Sequence, residues 1–248
     1  MRMELRIPAA KRWWWLVWAG QWLGLIALLL NPLNSTVLRF SLLTVMLAGW
    51  VTALFLVWHW RVGRGAARWI VGLLLLVSAL VLIVPARSPD TEDLRQRYAV
   101  ALRSYVDTPY VWGGEGRIGI DCSGLVRRAL IDACLGSARA RWDAGALRQA
   151  LGLWWHDQSA AAMGANEAGT TVRLFRSGRV AGLSEVQALK PGDLAVVGGG
   201  SHVMAYLGKS TWIEADPGEG KVIVIVSGQP NTWLNVPAQL VRWKMLAD

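Results

Sequence analysis

The sequence predicts an α+β domain following an all-α bundle of three transmembrane helices, and three observations carry that division. First, apolar stretches without Asp, Glu, Lys or Arg run over 13–30, 40–58 and 69–86. Each is long enough, at about 1.5 Å per residue, to cross a hydrocarbon layer of roughly 30 Å. Second, residues 1–87 hold nine basic residues against one acid, Glu4, whereas residues 88–248 hold seventeen against sixteen. Third, beyond residue 190 the apolar pattern changes from helical spacing to short alternating runs divided by glycine turns, as strands require. With 54% of its 248 residues hydrophobic, the chain is too apolar for one ordinary soluble domain.

The location of the charge decides what the net +9 means. Nearly all of the excess lies in the membrane part, so the soluble part offers no basic surface for nucleic acid, and that partner class is excluded. Arg2, Arg6, Lys11 and Arg12 precede the first span, and Arg61, Arg64 and Arg68 separate the second from the third. The positive-inside rule puts these segments in the cytoplasm and everything after the third span outside it. Trp13, Trp14, Trp15, Trp58, Trp60 and Trp69 then fall at the cytoplasmic interface, where amphipathic rings are favoured. The expected location is a bacterial inner membrane, multi-pass, with the 88–248 domain periplasmic or extracellular.

In the soluble part, Pro85 and Pro89 end the third span, and Asp90 or Thr91 can cap a new helix carrying Leu94, Tyr98, Leu102 and Tyr105. The linker of about five residues reaches at most about 17 Å, which holds the domain close to the membrane. The turn "PYVWGGEGRIGID" leads to a second helix from Cys122 to about Leu135, with Leu125, Ala129, Leu130 and Ala133 inward and Arg127 and Arg128 outward. Strands are expected over 194–197, 202–207, 211–215, 222–226 and 239–244. Cys122 and Cys134, twelve residues apart on one helix, are separated by about 18 Å, too far for a disulfide. No His, Cys, Asp and Glu cluster has metal-ligand spacing, and no glycine loop precedes a phosphate-binding lysine, so no metal or cofactor is expected.

A cysteine is nucleophilic as a thiolate, and the free N–H groups and dipole of a helix N-terminus favour negative charge. Cys122 opens a helix behind Asp121, and it needs an imidazole as base and later as acid. His59 ends a span on the opposite side of the membrane, and His156 lies in an amphipathic aromatic patch. His202 opens a strand in "GGGSHVMAYLG", and the following strand "TWIEAD" supplies Glu214 and Asp216 as orienting groups. Cys134 has none of these neighbours and reads as a buried small residue.

The blocks "PYVWGG", "DCSGLV", "LKPGDL" and "HVMAYLG", in that order over 91–248, resemble the NlpC/P60 family of cell-wall cysteine peptidases. The resemblance implies a papain-like α+β fold and cleavage of an amide in peptidoglycan stem peptides, and the short linker points to a membrane-proximal substrate such as a lipid-linked precursor. It implies Cys122 as nucleophile and His202 as base, with Tyr110, Asp121 and Ser123 at substrate-contacting positions. The family's third polar residue, often His, is Glu214 here, with Asp216 the alternative. The separation of eighty residues between Cys122 and His202 implies an insertion at about 141–179, which can serve as a lid, a specificity wall or, like the spans, a docking surface for a membrane-protein partner. Two other function classes fit the sequence: a thiol acyltransferase acting on lipid, and a non-catalytic membrane assembly component using the fold as a binding platform.

Overall fold

A computed structural model of the chain describes residues 9–59, 65, 69, 72–73, 76, 79–80, 83–86, 90–177, 179–180 and 189–247. Two compact units divide it, Met1–Leu80 and Val81–Asp248.

The first unit contains α1 (Ala9–Leu29) and α2 (Thr36–His59). They pack against each other with the rings of Trp14 and Phe55 at 4.9 Å. Since Trp14 lies near the start of α1 and Phe55 near the end of α2, the two helices run antiparallel. Among the described residues one helix is long and apolar enough to cross a membrane, the 20-residue stretch Thr36–Phe55, with mean hydropathy 1.8 and only 17% buried. It overlaps the span predicted at 40–58 over residues 40–55. The apolar run in α1, Leu16–Leu29, is shorter than the predicted 13–30. The span predicted at 69–86 lies partly outside the described residues.

In the second unit α3 spans Thr91–Arg103, capped by the Asp90 side chain accepting from the Asp93 N–H. Leu94, Tyr98 and Leu102 bury their shared face, as the helical spacing predicts. Next comes α4 (Cys122–Arg141), which runs six residues past the predicted end at Leu135 and stops where Trp142 turns left-handed, at φ 51°. Two further helices follow, α5 (Ala144–Trp155) and α6 (Ala160–Ala165), each started by a side-chain cap, Asp143 and Ser159. The strands are β1 (Thr171–Ser177), β2 (Leu194–Val197), β3 (His202–Gly208), β4 (Thr211–Asp216), β5 (Lys221–Val226) and β6 (Ala238–Trp243).

These strands form one six-stranded antiparallel sheet in the order β1-β6-β2-β3-β4-β5. The central strands β2 and β3 are buried along nearly their whole length, and α4 packs on β3 and β4. Leu125, Val126, Ala129, Leu130 and Ala133 of α4 join Val203, Ala205, Ile213 and Ala215 in one core. Burying a leucine of this kind is worth roughly 2 kcal/mol. Met204, Tyr206 and Trp212 point to the opposite face and form a second core with Leu234 and Leu240.

Two features depart from the sequence expectation. The stretch 141–179 is more than a helical insertion, because its end forms β1, which pairs antiparallel with the C-terminal β6 from Thr171 opposite Trp243 to Ser177 opposite Ala238. Arg127, predicted outward, is 2% exposed. Its Nη1 meets Glu115 at 3.0 Å and Asp157 at 2.7 Å, and its Nη2 donates to the carbonyls of Leu153 and His156. Helical spacing marks this face as solvent-facing, but α5 and its continuation cover it. The guanidinium thereby ties α4 to the turn before it and to the inserted segment after it.

Candidate active site

The start of α4 is built by Asp121. Its Oδ1 accepts from the Gly124 N–H at 2.6 Å and from the Ser123 hydroxyl at 2.9 Å, and its Oδ2 accepts from the Gly113 N–H at 2.8 Å. One carboxylate therefore caps the helix and ties down the turn that precedes it. The packing there is close enough to demand glycine. A Cβ on Gly124 would lie 2.1 Å from the Gly114 carbonyl oxygen, and one on Gly114 would lie 2.6 Å from that of Gly119. Cys122 is the first residue of the helix, 6% exposed, and both Cys122 and Cys134 are free thiols.

The opposing side comes from the sheet. His202 is the first residue of β3 and is 1% exposed; Glu214 on β4 is fully buried. Because Ala205 pairs with Ile213 and Tyr206 with Trp212, His202 and Glu214 share one face of the sheet. The His202 Nε2 lies 2.6 Å from Glu214 Oε2. Cys122 lies close enough to the imidazole to influence its protonation. Burial works against protonating this ring, but the hydrogen bonds and negative charge of Cys122 and Glu214 outweigh it. Together they push its pKa from 6.5 up to about 9.

Two contacts of this pair come from residues that the sequence did not single out. Asn231 Nδ2 donates to the second oxygen of Glu214, Oε1, at 2.7 Å, and its own Oδ1 accepts from the N–H groups of Trp233 and Leu234. The Trp233 ring stacks on His202, with centroids 4.3 Å apart and planes inclined by 15°. The one local signal is "QPNTW", a Pro-Asn turn beside an aromatic residue, which reads as an ordinary loop.

Tyr110, predicted at a substrate-contacting position, is half-buried beside this constellation, with its backbone N–H bonded to the Gly220 carbonyl. Its hydroxyl is pushed up to about 12, chiefly by burial and then by the negative charge of Cys122, Asp121 and Asp216. Asp121 and Ser123 are half-buried and hydrogen-bonded to each other, as described above. Asp216, the alternative orienting group, instead accepts from the Gly218 and Glu219 N–H groups in the β4–β5 turn. His156 lies at the exposed end of α5, where its ring bonds the Gly152 carbonyl. The Cys134 thiol is raised to about 12 by burial. Among the described residues there is no group of three or more His, Cys, Asp or Glu able to hold a metal.

A protein-family model, the NlpC/P60 family, matches residues 107–237, more than half of the chain and the whole of this constellation. The chain belongs to the NlpC/P60 family. Solved structures similar to it include the P60 domain of an antigen from M. avium subspecies paratuberculosis, at 20% identity and TM-score 0.41, covering 64% of this chain and 98% of that one. The peptidoglycan hydrolase RipB from Mycobacterium tuberculosis is 20% identical at TM-score 0.40, with 68% of this chain and 71% of that one covered. NlpC2 from Trichomonas vaginalis is 17% identical at TM-score 0.40, and the match covers 61% of this chain and 47% of that one. No curated protein sequence matches.

Proposed function

We propose that the protein is a membrane-anchored cysteine hydrolase that cleaves an amide bond in peptidoglycan stem peptides or their membrane-proximal precursors. The observation that carries this reading is the hydrogen-bonded line from His202 through Glu214 to Asn231, with Cys122 at a helix start beside the imidazole, in a member of the NlpC/P60 family. The peptidoglycan hydrolase RipB among the similar structures is consistent with the substrate class.

In the reaction the Cys122 sulfur, its proton taken by His202 Nδ1, attacks the carbonyl carbon and forms the tetrahedral intermediate. The Asp121 cap occupies the Gly124 N–H, which leaves the Cys122 and Ser123 N–H groups at the helix start to receive the oxyanion. His202 then gives its proton to the leaving amine, the C–N bond breaks, and a thioester remains on Cys122. Water, deprotonated by His202, hydrolyses that thioester and restores the thiol. Glu214 holds the imidazole through Nε2 and stabilises the imidazolium, while Asn231 fixes Glu214.

The anchor belongs to the same proposal: residues 1–87 as a three-span membrane region with the N-terminus cytoplasmic, and residues 88–248 as the catalytic domain outside. The apolar helix Thr36–Phe55 and the concentration of positive charge in residues 1–87 support it. Topology reporters fused after residues 34, 64 and 88 test it, with outside, inside and outside as the expected sequence. An inside result at 88 would contradict it. The hydrolase reading is tested by incubating full-length protein with defined muropeptides and identifying the products by mass. Cleavage by the native protein and its loss in Cys122→Ala and His202→Ala, with both variants folded, is expected. Unchanged activity in either variant would overturn the assignment.

A further inference from the structure

A cavity of about 440 Å³ lies between α6, β1, β6 and the Gly198–Gly200 turn, and among the described residues no acid lines it. Arg173 and Arg176 of β1 line it together with Gln239 of β6. Several other arginines of this unit, though not Arg103, Arg117 or Arg139, are matched with carboxylates: Arg97 with Asp93, Arg127 with Glu115 and Asp157, Arg128 with Asp132, Arg242 with Asp193. Among the described residues neither cavity arginine has such a partner. Arg176 is held through Nε by the Gln239 side-chain oxygen at 2.9 Å, which orients it and leaves its Nη edge unpaired. Because residues 88–248 are nearly neutral overall, two unmatched guanidiniums on one cavity wall are a local feature rather than part of a general basic surface.

The cavity's wall lies close along the chain to the proposed catalytic centre. Gly199 and Gly200 form part of its wall, and the chain passes from Gly200 to His202 in two residues, a distance of at most about 7 Å. We infer that this cavity is an anion subsite for carboxylate groups of the peptide substrate, with Arg173 and Arg176 as its specificity-determining residues. Guanidinium presents paired N–H donors that match a carboxylate, and the charge-assisted bonds so formed are stronger than neutral ones. The inference rests on the proposed hydrolase reading for its substrate class. It adds a requirement for free carboxylates, contributed by a strand that lies in the inserted segment.

The test uses the full chain in detergent carrying Cys122→Ala, so that binding is read without turnover. The probes are a disaccharide-tetrapeptide muropeptide with free carboxylates and the same compound with its side carboxyls amidated. Amidation is expected to raise Kd roughly tenfold, the loss of one charge-assisted contact. Adding Arg173→Gln and Arg176→Gln should raise Kd for the free acid by the same factor or more and make the two probes bind alike. Both arginines are exposed, so the thermal midpoint should stay unchanged, and Arg173→Lys should recover part of the discrimination. If the arginine variant still separates the two probes as strongly as its parent, the subsite is overturned. If amidation has no effect while inorganic pyrophosphate binds the parent and not the variant, the carboxylate assignment is overturned in favour of phosphate. Cleavage by the native protein is scored separately: its absence, with probe discrimination intact, removes the hydrolase reading and leaves the subsite.

Discussion

The charge on His202 is set by three opposed influences, and removing them selectively should move it in both directions. Burial is the largest and disfavours the imidazolium; Cys122 and Glu214 favour it and together carry the pKa from 6.5 up to about 9. That rise corresponds to about 3 kcal/mol, at about 1.4 kcal/mol for each pH unit. Glu214→Gln should lower the value by a pH unit or more, on the order of half that rise. In Cys122→Ala/Glu214→Gln burial acts alone, so His202 should titrate below its ordinary 6.5. The chain has three histidines, so histidine-selective isotope labelling gives three imidazole signals, assigned by substituting each in turn. Since the folded value lies above the unfolded one, the stabilisation is complete below about pH 6.5 and is lost as pH rises through about 9. The thermal midpoint should fall across that window in the native protein and hardly at all in the double variant. A His202 signal that titrates near 6.5 in the native protein, or that Glu214→Gln leaves in place, would refute the reasoning.

Three other perturbations bear on the elements that position the site. Gly124→Ala drives a methyl group into the Gly114 carbonyl, 2.1 Å from the ideal Cβ. It should displace the start of α4 and lower both kcat and the thermal midpoint, with a stability cost of about 2 kcal/mol. Arg127→Ala removes the buried guanidinium beside Glu115 and its bonds to the Leu153 and His156 carbonyls; chemical unfolding should show a loss of about 3 kcal/mol, more than an exposed ion pair would give. Asn231→Ala removes the hydrogen bond to Glu214 Oε1, and kcat should fall roughly tenfold with KM little changed. A lower His202 pKa in the same variant would mark positioning of the carboxylate rather than simple loss of packing.

Local chemistry made half of the site legible. A cysteine directly behind a capping aspartate and a glycine turn marks a helix start, and the structure shows all three features at Asp121, Cys122 and Gly113–Gly114. His202 and Glu214 could be placed on strands because period-two alternation is short-ranged, although only the register of β3 against β4 shows that they share a face. Asn231 and Trp233 were not legible, because they reach the imidazole through a loop some thirty residues along, with no periodicity to reveal it. The same holds for β1: its strand character depends on pairing with β6, about seventy residues away. Arg127 misled for a related reason, since helical spacing identifies a polar face but not whether another segment covers it.

The most direct measurement is acid-quench mass spectrometry of the full-length protein during turnover of a defined muropeptide. An acyl fragment bound as a thioester to Cys122 is expected, absent in Cys122→Ala and slow to form in His202→Ala. Products released with no adduct on Cys122, at a rate that Cys122→Ala leaves unchanged, would contradict the account.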